Sequence, residues 1–92
     1  MIAPEPILRA ANDTVKWGCV YIRNQTLQDG VSVKMINDMM EAIHEIPSIV
    51  TNWGEDSEST LRLHLRCFPH QEWESSPNLL SFYEARLREY GG

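Results

Sequence analysis

Apolar side chains recur at three- and four-residue steps over much of this chain, and four segments carry that rhythm. In the first, from about Pro6 to Leu27, Leu8, Ala11, Val15, Cys19 and Ile22 define one face of an amphipathic helix. Pro6 suits a first helical turn, where its missing N–H is no loss. Gly18 weakens this helix by about 1 kcal/mol relative to Ala. The β-prone run Trp17 to Ile22 keeps a strand open as a rival. Asp29-Gly30 is a turn signal.

The second segment starts at Ser32, a good N-cap, and carries Ile36, Met39, Met40, Ile43 and Ile46 at helical spacing. Pro47 lacks a donor and restricts Ile46, so this helix is predicted to end near Glu45. A short further turn from Pro47 to Trp53 would direct Ile49, Val50 and Trp53 inward, with Gly54 ending it.

The third segment follows Glu55-Asp56-Ser57-Glu58, an acidic, Ser-containing helix start. Leu61, Leu65 and Phe68 fit a helix. Leu61, Leu63, Leu65 and Cys67, alternating with Arg62, His64 and Arg66, fit a strand as well. The cap favours helix, and an isolated two-stranded sheet is marginal. In the fourth segment Ser76 caps, Pro77 takes the first helical position, Leu80, Tyr83, Leu87 and Tyr90 form a stripe, and Gly91-Gly92 stops it. The expected fold is a small all-α bundle of about four helices with antiparallel neighbours. The alternative is an α+β fold with a short two-stranded sheet.

Length sharpens this to one domain over residues 1–92, with residues 1–5 expected to be flexible, and a radius of gyration of about 12 Å. The start, Met1-Ile2-Ala3-Pro4-Glu5-Pro6, has neither the basic nor the apolar region of a signal peptide. No apolar run reaches the ~20 residues of a membrane span. Two cysteines, Cys19 and Cys67, are too few for a disulfide framework. The expectation is a cytoplasmic protein with reduced thiols.

Charge changes the picture most. Thirteen acids against eight bases give −5, which argues against nucleic acid and against anionic membranes as partners. The excess is localised. Between Lys34 and Arg62 there is no Lys or Arg, while Asp38, Glu41, Glu45, Glu55, Asp56 and Glu58 fall in that interval. The first three share one helical ridge. Trp53 and Trp73 flank the acidic stretch as candidate aromatic anchors for a partner, since charge steers encounter and aromatics hold it.

Catalytic patterns are weaker. His64-x-x-Cys67-x-x-His70 brings zinc-ligand residue types together, and Cys67 beside His64 suggests a thiol nucleophile. Neither comes with a standard ligand ladder or an oxyanion-hole motif, and a buried Cys is commonly a plain hydrophobe. His44 with Glu41 or Glu45 is a third acid–base candidate. No phosphate-binding fingerprint is present. No cofactor or metal is expected.

One stretch carries a resemblance. Gly30-Val31-Ser32 through Ile36-Asn37-Asp38, ending Ala42-Ile43-His44-Glu45-Ile46-Pro47 with Trp53 in the next turn, resembles a segment of small acidic bacterial proteins, some similar to immunity proteins of toxin systems. The resemblance covers about a quarter of the chain. It implies a cytoplasmic bacterial protein whose Ile43, Ile46, Pro47 and Trp53 fix a helix–turn packing, with Asn37 and His44 either hydrogen-bonding between helices, the reading favoured, or contacting a partner. The function expected is a non-enzymatic protein-binding module, most specifically an immunity protein occluding the active site of a basic toxin or effector domain. The alternatives are a zinc- or thiol-dependent enzyme on His64, Cys67 and His70, and a homodimeric scaffold built on the Met-rich face of the second helix.

Overall fold

Small residues decide how the first helix packs. In the computed structural model, which describes residues 1–27, 29–70 and 78–91, α1 runs over Glu5–Gln25. Its buried face is Ala10, Ala11, Thr14, Gly18, Tyr21, Ile22 and Gln25. The expected stripe is therefore rotated: Leu8 and Val15 are half-buried and Cys19 is exposed. Apolarity alone selects Leu8, Val15 and Cys19, but close helix contact selects the small side chains. Thr14 remains compatible because its hydroxyl donates to the Ala10 carbonyl at 2.7 Å. A Cβ on Gly18 would lie 2.3 Å from Ile43 Cδ1 and 3.8 Å from Leu79 Cδ2, so this glycine lets α1 sit against both neighbours.

The second helix, α2 (Val33–Thr51), starts as expected: the Ser32 hydroxyl accepts from the Met35 N–H at 3.2 Å. It does not end near Glu45. Pro47 lies inside a continuous helix. Continuing the helix buries Ile46 and Val50, at 0 % and 2 % exposure, which offsets the cost of the proline. The far end is also pinned. The Ala3 N–H donates to the Val50 carbonyl at 2.8 Å, and the Trp53 N–H to the Met1 carbonyl at 2.7 Å.

The strand-or-helix ambiguity resolves to helix. In α3 (Ser57–Arg66), Leu61 and Leu65 are buried, Phe68 is buried just beyond its end, and Leu63 is 59 % exposed, a period of about 3.6 and not 2. The last helix, α4 (Leu79–Glu89), starts later than expected. Its cap is Asn78, whose Oδ1 accepts from the Ser81 N–H at 2.8 Å, and Leu79 is its first residue. Ser76 and Pro77 lie outside the described residues. Leu79, Tyr83 and Leu87 face the core, and Gly91 with φ 82° ends the helix.

Among the described residues there are four helices and no strand. They pack in a ring: α1 on α2 and α4, α3 on α2 and α4. Contacts such as Gly18 with Ile43, Ala3 with Val50, and Tyr90 with Asp13 make ring neighbours antiparallel. The radius of gyration is 13.2 Å, above the compact expectation of about 12 Å, because 21-residue α1 alone is about 31 Å long. No helix among the described residues is long and apolar enough to cross a membrane.

Candidate functional site

The α2–α3 hairpin folds at Gly54, and this fixes what faces the acidic ridge. Residues roughly equidistant from that turn meet across the seam: Glu45 with His64, and Asp38 with His70. His64 Nε2 is 2.7 Å from the Ala42 carbonyl oxygen, and its Nδ1 is 3.4 Å from Glu45 Oε2. His70 Nε2 is 3.1 Å from Asp38 Oδ2, an oxygen that also accepts from Lys34 Nζ at 3.0 Å. The hydrogen bond from His70, helped by Lys34, holds the Asp38 carboxyl below its ordinary value of 3.8.

The ridge is thus divided. Asp38 and Glu45 face histidines, while Glu41 stands exposed between them. Beyond Pro47 the exposed acidic stretch resumes with Glu55, Asp56 and Glu58, on the turn and the first part of α3. Trp53 is half-buried and packs against the core beside that turn. Trp73 lies outside the described residues. Met40 is 37 % exposed on α2, but Met39 is completely buried, so the Met-rich face is largely spent on the chain's own core.

The remaining sequence candidates separate. His64, Cys67 and His70 do not converge: the two histidines turn to α2, and Cys67 is exposed. Among the described residues no group of three or more His, Cys, Asp or Glu side chains could hold a metal ion. Glu45 meets His64, not the neighbouring His44. Asn37 and His44 are both exposed, so of the two roles expected of them helix bridging, the favoured one, falls to His64 and His70 instead. Sequence periodicity cannot find such pairs. The signal available was the hairpin itself, since folding α2 back on α3 at Gly54 sets their register.

A second concavity lies between α1 and α4, a groove of about 450 Å³ floored by Trp17 and Phe82. Trp17 stacks on Phe82 at 5.2 Å and on Tyr21 at 5.7 Å. Its polar groups are largely committed to one another. Tyr90 donates to Asp13, which raises the tyrosine pKa. Arg86 lies 3.8 Å from Asp13, 3.4 Å from Glu89 and over the Phe82 ring. Only Lys16 stands at its lip without an ion pair among the described residues.

No protein-family model matches this chain, and neither a curated protein nor a solved structure does.

Proposed function

We propose that this protein is a non-enzymatic protein-binding module whose acidic surface, along α2 and across the turn into α3, docks on a basic protein. In its most specific form it is a bacterial, cytoplasmic immunity protein that covers the active site of a cognate toxin domain. The observation that carries the reading is the grouping of exposed Glu41, Glu55, Asp56 and Glu58, with Glu45 68 % exposed, over an interval free of Lys and Arg. Like charges gathered on one region cost a few tenths of a kcal/mol per helical pair. They also create a field that steers a positively charged partner. Enzymes acting on nucleic acid present basic clefts that such a surface complements. Trp53 and Met40 border it with apolar area for the contact. The likeness of residues 30–47 to immunity-type proteins supports the finer form.

The test is protection. A toxic domain encoded beside the gene is expressed alone, with this chain, and with the variant Glu41→Gln/Glu55→Gln/Asp56→Asn/Glu58→Gln. Growth is restored by the wild-type chain and not by the variant. A wild-type chain that leaves toxicity untouched removes the immunity reading. A variant that protects equally removes the acidic surface as the contact.

A further inference from the structure

The α1–α4 groove is bordered by a surface that the rest of the chain leaves uncovered. Between Asp13 and Asp29 there is no acidic residue, while Lys16 and Arg23 fall in that interval. Lys16, Val20 and Arg23 follow at i, i+4 and i+7 and share one stripe of α1. All three are exposed, Val20 at 56 %, and Leu27 just past the helix is 82 % exposed. Lys16 and Arg23 enter no ion pair among the described residues. Arg86, on the other wall, is already shared between Asp13 and Glu89. The groove therefore offers aromatic and aliphatic area at Trp17 and Val20, with two uncommitted cations beside it. Its complement is an anionic surface with an apolar centre.

This chain carries such a surface at its other end. Glu55, Asp56 and Glu58 are exposed around the α2–α3 turn, next to half-buried Trp53. The Trp53 N–H donates to the Met1 carbonyl, which places the turn where α1 begins. Lys16 lies about 17 Å and Arg23 about 27 Å along the axis from Glu5, the first residue of α1. Both distances exceed the Debye length of about 8 Å at 0.15 M salt, so the two surfaces do not neutralise one another within a chain. Between chains they can meet. The net charge of −5 repels copies over long range. At 0.15 M salt that repulsion is screened across a molecule 40 × 23 × 17 Å in extent, while groups in contact still attract.

We propose that the α1–α4 groove is a docking site for a second copy of this chain, whose α2–α3 turn brings Glu55, Asp56 and Glu58 against Lys16 and Arg23 and Trp53 toward Val20 and Trp17. The two contacting surfaces differ, so the contact is head-to-tail. Each pair keeps one groove and one turn free, and assembly continues into short rows or closes as a ring. Exposed ion pairs contribute little singly, so the assembly is weak and concentration-dependent. It engages the acidic turn that a foreign basic partner would also cover, and it holds whether or not such a partner exists.

Sedimentation velocity of the intact chain alone tests this, from about 0.02 to about 1 mM at neutral pH. At about 0.15 M salt the weight-average mass rises with concentration and passes that of a dimer; at about 1 M salt it falls back toward the monomer. Lys16→Glu/Arg23→Glu removes the groove's cations, and Glu55→Gln/Asp56→Asn/Glu58→Gln removes the turn's charge. Both change exposed positions, and helix circular dichroism checks that the fold is retained. Each variant alone stays monomeric. Mixed in equal amounts they form a complex that stops at two chains, because one supplies the turn and the other the groove. Val20→Gln, which alters no charge, weakens wild-type assembly several-fold. A wild-type chain that is monomeric at about 1 mM, a variant that associates alone as wild type does, or a mixture that stays monomeric overturns the proposal. None of these results bears on a foreign partner, which the protection assay tests separately.

Discussion

Replacing Gly18 with alanine tests the packing that sets α2, and with it the acidic ridge, in place. Helix propensity alone favours alanine by about 1 kcal/mol. The added Cβ would lie 2.3 Å from Ile43 Cδ1 and 3.4 Å from Cγ1, against a comfortable carbon–carbon separation of about 3.5–4.0 Å. Ile43 is 3 % exposed, so its side chain has nowhere outside the core to turn. Overpacking of this kind costs about 1–3 kcal/mol, which leaves Gly18→Ala destabilising by about 1 kcal/mol. That corresponds to about 4–8 °C in a domain of this size. Ile43→Val removes Cδ1 at a cost of about 0.5–1.5 kcal/mol. In that background Gly18→Ala becomes neutral or stabilising, a coupling of about 1–2 kcal/mol. Urea denaturation of the two single variants and the double variant, followed by helix circular dichroism, reads this out. An equal cost of Gly18→Ala in both backgrounds refutes the close approach of α1 and α2 at this glycine.

Other substitutions probe separate parts of the account. The Tyr83 hydroxyl is buried with no hydrogen-bond partner among the described residues, and burial pushes its pKa up to about 12. Tyr83→Phe therefore leaves stability unchanged or raises it by about 1 kcal/mol in urea unfolding. Pro47→Ala restores a donor inside α2 at an exposed position and stabilises the chain by about 1 kcal/mol or more, measured the same way. Asn78→Ala removes the α4 cap and costs about 1 kcal/mol. Because the Asp38 pKa is lowered in the folded chain, its contribution is present above its ordinary value of 3.8 and is lost as pH falls further. Asp38→Asn therefore flattens that acid limb of a melting-temperature profile.

Helix number and type are legible in the rhythm of apolar residues because an amphipathic helix repeats one local period. What was not legible depended on a neighbour. Leu8, Val15 and Cys19 are more apolar than Gly18 and Thr14, but α2 and α4 approach over the small residues, so the buried face turned. Pro47 is a sound local stop signal, overridden here by burial of Ile46 and Val50 and by backbone hydrogen bonds from the first residues. Ser32 was readable because capping is local; Asn78 was missed because Ser76 and Pro77 carry the same signal two residues earlier. The acidic interval was visible as composition. Its division into histidine-held and exposed carboxylates required the α2–α3 register, and the His64 and Glu45 side chains that meet there are 19 positions apart.

The central claim is that the acidic surface of α2 and the following turn contacts a basic partner. The association rate constant, measured by stopped-flow across a salt series, tests it most directly. The comparison is between the wild-type chain and the Glu41→Gln/Glu55→Gln/Asp56→Asn/Glu58→Gln variant. For wild type the rate falls steeply as salt rises; for the variant it is about ten-fold slower or more at low salt, and nearly flat with salt. Equal rates and equal salt dependence for the two chains would contradict the claim, leaving those carboxylates as a solvated face alone.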